Sequence, residues 1–491
     1  MSITIGTNPI INTDSYKISH PHMYSTEDRR LTGAYAYIEA RPKGKFPTSV
    51  SAGQIHAARL LSSIKITDDH INHASEIFKA HFGSDIFDRK PWEKIVKYHE
   101  GRLPLKVCAL PEGTIVPLGT PMVTVESTDP DCATIVAHFE GLIQKAIWYS
   151  TTVATTSLSY SSVMKHFLTL SADDDIIKGF LPFMHHDFGY RGAASEEAAI
   201  LSGVAHLYIS MGTDTLPAIE YIHKNMGGII AGFSIPATEH NVMMSRGRDG
   251  EFEVIKNFLK RFPSGLRACV ADTYDMRNFI ERITTGEFFE IIMKSEGKFV
   301  IRPDSSFMNA DGSEMTTAET ILEIFMILGK NLPITVNKKG FKVLPPQYGV
   351  IYGDGLDIPK ITDILEALIK NGWSASNIVF GTGGNLVQKG IDRDTQRFAF
   401  KVSEQTYVHA DGTVEVLACG KETPGKESKK GRFKVCEVDG MIVTLGEHER
   451  PDLPNMLVPF YYNGTVCDGP AKDTITIIRE RINAQREKGG F

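Results

Sequence analysis

The run His185-His186-Asp187-Phe188-Gly189-Tyr190-Arg191-Gly192 is the densest concentration of chemically capable side chains in the sequence. An aromatic ring and a guanidinium this close together suit a flat heteroaromatic ligand carrying an anionic group. The adjacent histidines could hold a metal. However, neighbours in an extended chain point to opposite sides and there is no i, i+4 histidine partner, so no zinc site is expected. Arg302-Pro303-Asp304 offers a fork for phosphate or a carbonyl, and a carboxylate for vicinal ribose hydroxyls or a metal; a surface ion pair would use the same residues. Residues 352–355 (YGDG) and 380–385 (FGTGGN) place glycines directly after β-type runs, where bare backbone N–H groups approach an anion. Ordinary strand-to-helix turns look the same, but two in tandem with Arg393 nearby favour an anion site. Neither is a dinucleotide fingerprint or a P-loop. Gly212-Thr213-Asp214-Thr215 taken alone is a capping turn, and His240 taken alone is a structural or solvated histidine. No G-x-S-x-G elbow and no H-E-x-x-H motif is present, which argues against serine hydrolases and zincins.

Such groups converge only if a scaffold holds their loops at one place. Between about 180 and 385 short apolar runs (228–233, 267–271, 298–301, 349–352 and 377–380) alternate with helical patterns such as 316–330 and 361–372. That alternation predicts βα units and a parallel sheet. Several runs lead straight into polar or glycine-rich segments (SIPATEH, ADTYD, RPDSS, YGDG, GTGGN), the place where parallel α/β folds carry chemistry. Residues 103–128 read as strands and turns, 133–168 as helix, and the part from about 395 as strands closed by a final helix. Ser195 is the expected N-cap of the helix after the HHDFGYRG run. The expected fold is α/β: an irregular (β/α) barrel-like core with a second α+β domain built from the N- and C-terminal parts. Its parts would be residues 1–145, a barrel-like catalytic domain at 146–394, and 395–491 packing with the first.

Composition narrows the class without naming it. The chain has 491 residues, 42% hydrophobic and 23% charged, which excludes a disordered or fibrous protein. Lys plus Arg is 53 against 59 Asp plus Glu, a net charge of −6, so no nucleic-acid footprint is expected. Six scattered cysteines without a C-x-x-C pair suit a reducing compartment. The start lacks a basic, apolar leader, and no run approaches the ~20 apolar residues of a membrane span. A cytoplasmic enzyme is the expectation.

Taken in order, TDSYK (13–17), HDFGYRG (186–192), GTDT (212–215), SIPATEH (234–240), IRPDS (301–305), GDG (353–355) and FGTGGNLVQK (380–389) resemble the nicotinate and nicotinamide phosphoribosyltransferase family. The resemblance spans about 13 to 433, and seven ordered motifs are far more specific than any one. It implies a pyridine ring sandwiched between Phe188 and Tyr16, the latter from the partner subunit of a homodimer with shared active sites. It implies Asp214 accepting from a carboxamide, Arg302 at the amide carbonyl, and Arg191 at the pyrophosphate. Asp304 would hold the ribose hydroxyls beside Gly353 and Asp354, while Gly383 and Gly384 cradle the 5′-phosphate with Arg393. Arg41, Lys429 and Lys430 would be anchors for diphosphate and ATP. His240 would be phosphorylated by ATP, with Glu239 and Asp272 orienting its ring. Two departures stand out: Asn385 follows the GTGG glycines, with an extra residue before Arg393, and Ala268 replaces a small hydroxyl residue of the family's ligand tunnel.

The reaction implied is nicotinamide plus phosphoribosyl pyrophosphate giving nicotinamide mononucleotide and pyrophosphate in NAD salvage. Mg²⁺ would be bound through the diphosphate, with no protein metal site, and ATP would act as a stimulating co-substrate. Neither a membrane nor a nucleic acid is an expected partner. The competing readings are the same transfer to nicotinate, a catalytically retired relative that binds or signals, and an unrelated barrel enzyme such as an aldolase. The last would want a lysine or metal triad after the strands, and none emerges.

Overall fold

The computed structural model of the protein describes residues 8–424 and 427–489. Two units share the chain. One holds Met1–Thr155, Lys224–Gly228 and Ile391–Phe491; the other holds Thr156–His223 and Ile229–Gly390.

In the second unit, alternating apolar runs become parallel strands: β1 His185–Asp187, β2 Gly212–Thr213, β3 Ser264–Val270, β4 Glu296–Arg302, β5 Tyr348–Tyr352 and β6 Ile378–Thr382. They lie in the order β2-β1-β6-β5-β4-β3, every pair parallel. The run at 228–233 is not a strand. Gly227 and Gly228 both have positive φ, which turns the backbone away from an extended path. Extension begins at Phe233 instead. Phe233 bridges Gly212 at one edge of the sheet, and Ala237 bridges Ala268 at the other. This short segment stitches the two edges together, so the curled sheet has the barrel-like form expected.

Alternation along β4 shows how the layers form. Phe299 and Ile301 are fully buried in the outer core, which the helices Thr317–Asn331 and Ile358–Lys370 cover. Each such apolar side chain contributes roughly 1.5–3 kcal/mol by leaving water. Both helices start as sequence rules demand: Thr316 and Glu319 form a capping box, and Asp357 accepts from the Lys360 N–H. Lys298, Val300 and Arg302, on the other face of β4, line the inside.

The first unit interleaves both ends of the chain. Its antiparallel sheet runs in the order Val414–Ala418, Ala399–His409, Arg29–Glu39, Pro121–Ser127, Leu105–Ala109, Val458–Tyr462 and Thr465–Val466. Strand Arg29–Glu39 pairs with Ala399–His409, which joins the N- and C-terminal parts into one α+β body. Among the described residues, no helix is long and apolar enough to cross a membrane.

Candidate functional site

Two strand ends meet at one buried carboxylate. Asp187 closes β1 and is fully buried. Its Oδ1 accepts from the Gly189 N–H at 2.7 Å. Its Oδ2 accepts from the hydroxyls of Thr215 at 2.6 Å and Thr213 at 3.2 Å. Its carbonyl accepts from the Asp214 N–H at 3.0 Å. The loop carrying Phe188 is thereby tied to the loop carrying Asp214.

Phe188 lies over β6, its N–H donating to the Thr382 carbonyl at 2.9 Å. Glycines make this possible: a Cβ on Gly381 would come within 2.0 Å of the ring, and one on Gly353 within 3.1 Å. Arg302 stands 5.5 Å from the ring centroid, and its Nε is buried without a hydrogen-bond partner. Asp214 is exposed at the rim, its Oδ1 accepting from Ser234 at 2.5 Å. Phe188, Asp214, Arg302 and His186 line one cavity of about 430 Å³, within the range of small-molecule sites. The cavity continues down the bore to Lys298, about 13 Å of strand away, because Ala237, Ala268 and Gly349 keep the walls thin.

Burial shifts two basic groups of this cavity toward their uncharged forms. Burial and the nearby His206 push the His186 pKa down to about 4 despite the pull of Asp214, so the imidazole is uncharged at neutral pH. Burial likewise lowers the Lys298 ammonium. His185 is not part of the cavity lining and is buried in the core, its Nε2 2.6 Å from Thr382 Oγ1.

The neighbouring rim has a different character. Asp354 is raised by partial burial and then by the charge of Asp304, with smaller contributions from Asp272 and Glu314. These are the acids that hydroxyl donors or a divalent cation would relieve. Gly383 leads into the one-turn helix Gly384–Val387, and a Cβ on Gly384 would meet nothing within 4 Å. Asn385 Nδ2 donates to the Leu356 carbonyl at 2.7 Å, and Gln388 Oε1 accepts from the Ala194 N–H at 3.2 Å. The glycine loop is therefore tied to both of its neighbours. Arg191 is exposed on the turn Tyr190–Gly192. His240 Nε2 lies 3.2 Å from Asp272 Oδ1. Glu239 is exposed and accepts from Asn241 Nδ2 at 3.3 Å.

Tyr16, Arg41, Arg393, Lys429 and Lys430 belong to the other unit. Tyr16 is 58% exposed. Arg41 Nε donates to the Arg397 carbonyl at 3.0 Å, and Arg393 pairs with Asp394 at 3.1 Å. Lys429 is committed to Glu39 and Lys430 to Glu422. Lys426, at the head of that basic stretch, lies outside the described residues. In the same unit His99, Asp129 and Cys132 bring three metal-ligand types together, but Lys94 already sits 2.9 Å from the carboxylate.

The sequence motifs contain Asp187, Thr215, His186, Ser234 and Gly381, but none of the five was given a place at the site. The available signal was an acid followed two residues later by glycine at a strand end, which reads equally well as a common turn.

A parallel barrel whose strand-end loops set a ring slot beside glycine loops and paired acids has the architecture of a phosphoribosyltransferase, a pentosyltransferase. The sequence matches the family described as the nicotinate phosphoribosyltransferase (NAPRTase) family over residues 183–449, more than half of the chain. Residues 8–107 match the domain described as nicotinamide phosphoribosyltransferase, N-terminal domain. A protein of Xanthomonas campestris pv. campestris (strain 8004) named nicotinamide phosphoribosyltransferase is 36% identical over 429 residues, covering 87% of each chain. One of that name from Mycoplasma pneumoniae is 29% identical over 450 residues, 86% of this chain and 95% of the relative. The fold is shared with nicotinate-nucleotide pyrophosphorylase from Pyrococcus furiosus, at a TM-score of 0.60 and 17% identity over 99% of this chain and 96% of that one. Human nicotinic acid phosphoribosyltransferase follows at 0.58 and 14% over 97% and 94%. The chain belongs to the nicotinate phosphoribosyltransferase family.

Proposed function

We propose that the protein transfers the phosphoribosyl group of phosphoribosyl pyrophosphate to the ring nitrogen of nicotinamide, yielding nicotinamide mononucleotide and pyrophosphate for NAD salvage. One observation carries the choice of base: a carboxylate, Asp214, and a guanidinium, Arg302, at the same ring slot. A carboxamide satisfies both, its N–H₂ donating to Asp214 and its carbonyl accepting from Arg302. A nicotinate carboxylate would bring a second negative charge to Asp214. The relatives named nicotinamide phosphoribosyltransferase support the same reading.

The bond from ribose C1 to the diphosphate oxygen breaks as the bond from ring nitrogen to C1 forms, through an oxocarbenium-like state. No protein nucleophile is needed, so the work is alignment and charge stabilisation. Asp304 and Asp354 accept from the ribose hydroxyls, the open face at Gly383 and Gly384 takes the 5′-phosphate with Arg393, and Arg191 meets the diphosphate. Mg²⁺ carried by the diphosphate would supply counter-charge to the leaving group, and the acids around Asp354 would suit a cation nearby. The product ring is cationic, so its stacking on Phe188 strengthens as charge develops. A second copy of the chain supplies Tyr16 to the other ring face, which suits its exposure, and Arg41, Lys429 and Lys430 toward diphosphate and ATP. ATP phosphorylates His240, held by Asp272, and hydrolysis of the phosphohistidine drives the equilibrium. The compartment is the cytoplasm.

The test is to incubate the protein with phosphoribosyl pyrophosphate and Mg²⁺, with nicotinamide or nicotinate, with and without ATP. Mononucleotide and pyrophosphate should form with nicotinamide, faster with ATP. Absence of product with either base would overturn the enzymatic reading.

A further inference from the structure

We propose that Asp187, which does not line the cavity, is the positioning residue that sets base selectivity by holding Asp214 in register with Phe188. This rests on the reading of the slot given above. Asp187 is 0% exposed, and both of its oxygens and its carbonyl are spent on the two loops that form that slot. The contacts bracket the functional groups. Gly189 follows Phe188, while Thr213 and Thr215 flank Asp214 on either side. Asp214 itself is exposed and held at its carboxylate by Ser234. Ser234 orients the carboxylate, and Asp187 fixes the backbone that carries it.

Only a carboxylate of this length fits the task. Three donors converge on it, and a carboxylate accepts from all of them at once; an asparagine amide keeps one acceptor oxygen, so either the Gly189 N–H loses its acceptor or the two threonine hydroxyls must switch to accepting. These charge-assisted bonds are the strong kind, and burial keeps them from competing water. The phosphate side is tied by different residues, Asn385 to Leu356 and Gln388 to Ala194. Loosening the threonine side of Asp187, which leaves its bond to Gly189 intact, should therefore disturb the choice of base and leave recognition of phosphoribosyl pyrophosphate in place.

The experiment uses the full chain and two variants, Asp187→Asn and Thr215→Val. The second is nearly isosteric and removes one hydroxyl donor to Asp187, so it tests the idea even where the first fails to fold. In Thr215→Val the KM for nicotinamide should rise about tenfold, the scale of one charge-assisted bond. The ratio of kcat/KM for nicotinamide over nicotinate should fall by a similar factor, while the KM for phosphoribosyl pyrophosphate stays put. An unchanged ratio, or an equal loss for both bases and for phosphoribosyl pyrophosphate, would overturn the proposal in favour of a purely structural Asp187. A wild-type chain that uses neither base would overturn the slot reading instead.

Discussion

The rim we assign to the base and the rim we assign to the phosphates are built on opposite plans. At the base end a hub of fully or almost fully buried polar groups, Asp187, Thr213, Thr215 and Thr382, fixes the loops before any ligand arrives. At the phosphate end the working groups are glycine backbone and acids that repel one another, as the raised Asp354 shows. A neutral pyridine brings little electrostatic energy, so its orientation must already be present in the protein. A polyanion with its counter-ion brings strong interactions of its own, and can be received by an open, less ordered surface. On the proposal made above, selectivity is set where the protein spends buried hydrogen bonds.

The largest test of that contrast is a pH titration. His186 is ordinarily near 6.5 but held at about 4, so the unfolded chain takes up a proton that the folded one refuses. Stability should therefore fall as pH drops from about 6.5 to about 4, by about 3 kcal/mol for this residue. Denaturant melts across that window should show His186→Gln losing that share of the slope; equal slopes would show that the base end is not kept neutral by burial. Next, Gly381→Ala places a methyl group inside the ring of Phe188 and should lower kcat/KM with nicotinamide by about a hundredfold, as an ångström-scale misplacement does. Steady-state kinetics decide this, and a mild effect would mean that the ring bed tolerates movement.

Asp214→Asn should improve nicotinate relative to nicotinamide by about thirtyfold, since it removes a like-charge contact; competition assays with both bases read this directly. The smallest effect belongs to the phosphate end. Asn385→Gly, which loses one tie to Leu356, should raise the KM for phosphoribosyl pyrophosphate about fivefold and leave the base ratio alone. A shift in the base ratio here would erase the distinction between the two ends.

Much of the scaffold was legible from local rules. The runs at 267–271, 298–301, 349–352 and 377–380 became strands, and the cap at Ser195 came from short-range hydrogen bonding. β1 and β2 escaped because three and two residues are too few to show a period, and their residues are mostly polar. The displaced strand at 228–233 had the right composition but two glycines with positive φ at its head. Asp187 stood inside a run already singled out, yet nothing in one dimension separates a loop-tying acid from a ligand-binding one.

The sequence by itself determined where polar loops follow apolar strands and which residue types stand on them, because strand period, glycine and capping chemistry act over a few residues. Which of those residues line one cavity, and which only hold others in place, was decided by the tertiary structure. Sheet order brought β2, β1, β6 and β5 side by side although they are far apart in the chain, and burial turned one ordinary aspartate into the joint between two loops.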